Sequence, residues 1–216
     1  MDIINTIEKY PLLKQKSAEL NPETDMPLIL QIQKALVDYL EFEKGAVGIS
    51  APQLAYFYQM FAIRFKNEIL TFVNPVVEAY EGNTFQDWES CMSFPNIKVY
   101  TNRFTKLHVS YLTFNKTGKL YQQKNLYKKD MAIYFQHEYD HLNGELHLDN
   151  APEEGIKIKV VKTPQIKPLY KVYDVNKTYQ DDYFVEDENI LFFNQDKIIP
   201  TAFPDKVMIG FKMIKD

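Results

Sequence analysis

Cysteine is nearly missing from this chain. Cys91 stands alone in 216 residues, which excludes an internal disulfide framework and fits a reducing cytosol, although a processed organellar protein would look the same. No stretch approaches the ~20 apolar residues of a membrane span. The opening MDIINTIEKYPLLKQKSAEL mixes acidic and basic residues and lacks an unbroken apolar segment, so a secretory signal is not expected. An excess of positive charge is missing too. With 25 basic against 29 acidic residues the formal net charge is −4, which gives no electrostatic basis for nucleic-acid binding. Internal repeats and low-complexity tracts are absent. What is present is a 45% apolar content, enough at this length to bury one sizeable core. Function must be read from a site.

The coarse organisation follows from pattern. From Asp25 a helix is signalled by a capping aspartate, Pro27 in the first turn and apolar Leu28, Ile32, Leu36, Tyr39 and Leu40, and it should end near Gly45. GAVGISAPQ then reads as a small-residue loop. Strand-like runs follow in YFYQMFAIRF, ILTFVNPVVEAY, KLHVSYLTF and KLYQQKNLY, the last two joined by NKTG as a hairpin. A second helix is expected over roughly 127 to 142, with Gly144 just past its end. After about residue 150 the texture changes. Pro152, Pro164 and Pro168 punctuate short runs such as IKIKVV, NILFFN and VMIGFKMI, so residues 1–150 are expected to form the main domain and 151–216 a β-rich or extended C-terminal extension packed on it.

Residues 137 to 147, HEYDHLNGELH, carry the first chemistry. His137, Glu138 and His141 form HExxH, in which positions i and i+4 share a helix face, so that two imidazoles reach one ion while the glutamate projects beside it. A catalytic site of this type needs a third protein ligand and an open position. His147 falls where the longer HExxHxxGxxH protease pattern puts that ligand. Asp140, Glu145 and Asp149 are weaker candidates, and Cys91 in WESCMSFP is the remote one. A lone cysteine is most often a small buried hydrophobe, so these residues by themselves leave the third ligand open.

Three motifs taken together point further. VGISAPQ at 47–53, ESCMS at 89–93 and QHEYDHLNG at 136–144 resemble, in order and rough separation, the three signature motifs of the peptide deformylases. NPVV at 74–77 and Arg103 fit between them, and the resemblance covers about residues 40 to 150. It implies an α+β fold, with antiparallel β-sheets around a central HExxH helix and a helix N-terminal to them. It implies a metal-dependent hydrolase that removes the N-formyl group from formyl-methionyl polypeptides, nascent chains included, and releases formate. Cys91, His137 and His141 would hold one divalent ion, Fe(II) in the cell with zinc or nickel accepted in preparations. Glu138 would move protons. The Gln53 amide and the backbone N–H of Met92 would stabilise the developing oxyanion. The peptide would add as a strand along Val47, Gly48 and the residue before the cysteine, Ser90. Asp140 would orient a neighbour, Arg103, and His147 would stand at a position needing no ligand. A cytoplasmic location and a transient ribosome contact go with the same resemblance, while the expectation of no membrane and no specific nucleic-acid partner rests on the hydropathy and charge above.

Two positions depart from the family pattern. Ala46 and Ser90 replace glycines, which is a mild change only where φ is not positive, and Ser90 lies against the expected peptide strand. The rival readings are a three-histidine metalloprotease using His147 and a catalytically weakened relative that only binds N-terminal peptides.

Overall fold

A computed structural model describes residues 3–4 and 10–150, with backbone alone for Tyr10 and 95–97, and the backbone of 156–160, 169–172, 183–187, 190–193 and 211–214. In chain order the elements are helices α1 (Tyr10–Leu13) and α2 (Met26–Phe42), strands β1 (Gly48–Ser50), β2 (Met60–Phe65), β3 (Glu68–Cys91), β4 (Phe94–Phe114) and β5 (Leu120–Lys128), and helix α3 (Asp130–Leu142). Beyond them come β6 (Ile156–Val160), β7 (Leu169–Val172), β8 (Tyr183–Asp187), β9 (Ile190–Phe193) and β10 (Phe211–Ile214). The fold is α+β.

One compact unit contains Leu12–Phe85 and Arg103–Leu146. In it β1, β2 and β3 pair antiparallel in sequence order, and β5 pairs antiparallel with β4 from Lys106↔Lys128 to Phe114↔Leu120. The NKTG turn forms as expected because the Asn115 Oδ1 accepts the N–H groups of Thr117 and Lys119 at 3.0 and 2.9 Å while Gly118 takes a φ of +76°. An asparagine side chain standing in for backbone is what fixes such a turn. Helix α3 packs on β1, β2 and β5, and α2 packs on β1 and β2. The apolar face of α3 supplies Met131 and Phe135 to a core with Phe61, Phe72, Leu107 and Val109. The Phe61 and Phe72 rings both stand nearly perpendicular to Phe135, at 5.0 and 5.3 Å between centres, an arrangement that aromatic quadrupoles favour.

The other unit contains the described residues of Gln86–Asn102 and His147–Asp216. Here the first half of β4 pairs with β6, β6 with β9 and β9 with β8, all antiparallel. Trp88 packs on Tyr100 at 5.2 Å between ring centres. Strands β7 and β10 form a separate antiparallel pair.

Several expectations need adjustment. GAVGISAPQ is not a plain loop: β1 lies within it and a 3-10 turn, Ala51–Leu54, begins in it. Small residues allow both, since the segment is tightly enclosed. Helix α3 begins at Asp130, not near 127, because β5 continues to Lys128 and Lys129 turns the corner with φ +53°. Strand β4 starts well before KLHVSYLTF, and β3 runs through Pro75 to Cys91. In the C-terminal part IKIKVV, NILFFN and the end of VMIGFKMI hold β6, β9 and β10. Whether the extension's side chains pack on the core lies outside the described residues. Among the described residues no helix is long and apolar enough to cross a membrane.

Candidate metal centre and active site

Helix α3 is anchored by its polar residues before it offers any to chemistry. The Gln136 amide donates to the Phe104 carbonyl at 2.8 Å and accepts the Phe104 N–H at 3.0 Å. It thereby continues the pairing of β4 where β5 has ended, so a side chain supplies the partners that the strand no longer does. One residue back on β4, Arg103 forms a buried ion pair with Asp140. Burial pushes the Asp140 carboxyl up to about 6, and the Arg103 guanidinium opposes that rise. The expected Asp140–Arg103 partnership is present, and Asp140 is a support for the helix.

The C-terminus of α3 is closed by Gly144. Its N–H bonds the His141 carbonyl and the Glu145 N–H bonds the Asp140 carbonyl, a Schellman motif that requires a left-handed residue at the glycine. Gly144 has φ +74°, and a Cβ there would overlap the Lys14 carbonyl. The helix end is thus docked on the N-terminal segment, where the Ser17 N–H also bonds Leu142 O at 2.8 Å.

With the helix held, His137 and His141 present rings 5.1 Å apart and nearly perpendicular. The Cys91 Sγ and one nitrogen of each imidazole all lie within 4.8 Å of one another. Cys91 and His141 are buried and His137 is half-buried. One thiolate and two imidazoles in a water-poor setting fit a divalent ion of the zinc or ferrous type. His147 is not part of this group. It starts the short 3-10 helix His147–Asn150, is buried, and lies 5.0 Å from the Phe94 ring.

Glu138, also buried, rests its carboxylate against Gly48. A Cβ at 48 would overlap the Glu138 Oε1, so the glycine of the first motif is needed for the room it leaves. The Val47 carbonyl accepts the Arg64 N–H across the β1–β2 ladder at 2.6 Å. Because backbone groups alternate in direction along an antiparallel strand, those of Gly48 face the opposite side of β1. That strand is at the end of the sheet order. Val47 keeps an exposed side chain.

Gln53 is buried in the 3-10 turn, and its Oε1 accepts both the Ser50 N–H and the Ser50 hydroxyl at 2.9 Å. Met92 is the first residue of the two-residue turn between β3 and β4, directly after Cys91. Ser90 is exposed on β3. Neither Ala46 nor Ser90 has a positive φ, so the two lost glycines are replaced at ordinary backbone. The partner role of Ser50 was not among the sequence expectations, yet the signal was there: S-x-x-Q at 50–53 is a capping-box pattern.

Comparison with known proteins meets these residues. The chain matches the polypeptide deformylase family model over residues 3–156. It is 27% identical over 147 residues to the peptide deformylase of Dictyoglomus thermophilum, covering 68% of this chain and 91% of that protein. It is 30% identical over 162 residues to the peptide deformylase of Cytophaga hutchinsonii, covering 70% and 82% respectively. Its structure is similar to that of the Thermotoga maritima enzyme, with a TM-score of 0.59, 27% identity, and coverage of 70% of this chain and 98% of that one. A match to a family model over most of the chain, spanning all three motifs, is more than HExxH by itself could produce, and it puts this chain in the peptide deformylase family.

Proposed function

We propose that this chain is a working peptide deformylase, hydrolysing the N-formyl group of formyl-methionyl peptides through Cys91, His137, His141, Glu138, Gln53 and Met92. The observation that carries the reading is the approach of the Cys91 Sγ to both HExxH imidazoles. It supports Cys91 as third ligand and leaves the three-histidine protease without support, since His147 is packed on Phe94.

Cys91, His137 and His141 would hold one divalent ion, Fe(II) in the cell and zinc or nickel in preparations. When bound, such an ion supplies Lewis acidity, lowering the pKa of a water and polarising the formyl carbonyl. The protein's own groups do the rest. Glu138, confined against Gly48, accepts the proton of the attacking water and passes it to the departing amine. The Gln53 amide and the Met92 backbone N–H donate to the carbonyl oxygen as charge develops on it. The peptide lies as an added strand along β1, meeting the backbone of Gly48, the side chain of Val47 and, from β3, Ser90. Ser90 is the one of these with a side chain where the family has none, so it shapes preference for the residue after methionine.

We further assign residues 1–150 as the catalytic domain and 151–216 as an extension, in keeping with a family match that ends at 156, and place the protein in the cytoplasm with transient access to ribosome-borne chains. The decisive assay is formate release from formyl-Met-Ala-Ser by freshly metal-loaded protein. Turnover that disappears with chelator and returns with Fe(II) or Ni(II) is the expected result. Absence of formate from a protein that carries one metal per chain would overturn the deformylase reading.

A further inference from the structure

Gln53 offers two unlike ends, and the structure decides which one is turned where. A backbone N–H can only donate, so the amide atom that meets the Ser50 N–H at 2.9 Å must be the oxygen. The Ser50 hydroxyl donates to the same Oε1 at 2.9 Å. Oxygen is therefore held from two directions, and the Nε2 donors are turned away from Ser50. The main chain is held as well: the Gln53 carbonyl accepts the Ile4 N–H at 2.8 Å, and the turn closes with Ala55 in the left-handed region at φ +63°. Ser50 and Gln53 are both buried, at 0% and 1% exposure, so water does not compete for these bonds.

We propose that Ser50 is a positioning residue for deformylation: its hydroxyl, acting with its own N–H, fixes the Gln53 amide with the donor end toward the reacting carbonyl. This rests on the reading of Gln53 as an oxyanion donor. An oxyanion donor is effective because it is oriented before charge develops, and a primary amide can turn over by rotation about its last bond, which would present an acceptor to a negative oxygen. With alanine at 50 the backbone N–H alone would resist that rotation. The backbone N–H, which can only donate, sets which end of the amide faces Ser50, and the hydroxyl adds a second buried bond to that oxygen that narrows the amide's motion in this orientation.

The test is a double-mutant cycle on full-length, metal-loaded protein with formyl-Met-Ala-Ser. Ser50→Ala should lower kcat by roughly three- to tenfold, the value of one neutral hydrogen bond, with KM and metal content nearly unchanged. Gln53→Ala should lower kcat by about 10²-fold. The double variant should match Gln53→Ala within about twofold, because Ser50 acts only through the amide. An equal loss from Ser50→Ala in both backgrounds would show a merely structural serine and overturn the proposal, as would full kcat in Ser50→Ala beside an impaired Gln53→Ala. Full turnover in Gln53→Ala would instead remove the reading of Gln53 itself, and this inference with it. Because the cycle compares like backgrounds, a modest loss of stability in Ser50→Ala does not disturb it.

Discussion

Helices α2 and α3 are packed on the same two strands, β1 and β2, yet only α3 buries charged and amide side chains among its apolar ones. On α2 the buried positions are Ile29, Ile32, Ala35, Leu36, Tyr39 and Leu40. On α3 Met131, Ala132, Phe135 and Leu142 are joined by Gln136, Glu138, Asp140 and His141. Burying a polar group costs free energy unless a partner satisfies it. Helix α2 is therefore a stability element, with little to gain from any one side chain beyond volume. Helix α3 accepts a cost in stability, offset partly by the Gln136–Phe104 and Arg103–Asp140 contacts, to hold reactive groups in a place with little water. Two neighbouring helices should then fail differently when mutated.

The largest effect should come from Cys91, the distant partner of the α3 histidines. Cys91→Ala removes the proposed third ligand and its negative charge, so metal content in dilute chelator should fall to near zero and formate release with it. A variant that keeps one ion per chain would contradict the assignment. On α3 itself, Glu138→Gln should keep its metal and its melting temperature while losing about 10²-fold in kcat. Because a buried carboxylate becomes a neutral amide of the same shape, no loss of stability is expected.

The opposite pattern belongs to α2. Leu36→Ala should cost about 2–5 kcal/mol of stability through the cavity it leaves, read as a melting temperature lower by roughly 5–15 °C, with kcat per folded molecule retained. If Leu36→Ala spared stability and lost kcat, the division between the helices would not hold. A smaller change is expected at Ser90, which is exposed beside the peptide path. Ser90→Gly should alter the kcat/KM ranking of peptides differing after methionine by a few-fold at most and leave the metal in place; identical ratios over a peptide panel would remove Ser90 from the cleft. His147→Phe should do least to the centre. Just past α3 and packed on Phe94, it should retain metal and most activity, and a folded but metal-free His147→Phe protein would restore the protease reading.

Much of α2 was legible because its apolar residues recur at helical spacing, with Asp25 and Pro27 marking the start. Ile32, Leu36, Tyr39 and Leu40 are buried as expected, but in the first turn the fully buried residue is Ile29 and Leu28 is half-buried, since neighbouring apolar positions do not say which of them faces the core. Boundaries were harder. The start of α3 was placed too early because Tyr127 fits a strand or a helix, and only pairing with Leu107 on β4 shows that it belongs to β5. The segment GAVGISAPQ was too short and too small in its side chains to reveal β1 by alternation. Motif resemblance located the metal and catalytic candidates, but it was silent on what holds them.

What the residues along the chain determined by themselves is local: the i, i+4 spacing of His137 and His141, the turn at Asn115–Gly118, the glycine that ends α3, and the capping pattern at Ser50 and Gln53. Each depends on backbone geometry over a few residues, so neighbouring letters suffice. Tertiary structure decided what lies far apart in the chain. It brought Cys91 to histidines some 46 residues later, kept His147 against Phe94 only six residues from His141, and placed Gly48 where any side chain would meet Glu138. A site for an ion needs donors converging from several directions, and no single helix or turn can supply them all; only the path of the whole chain settles which ones arrive.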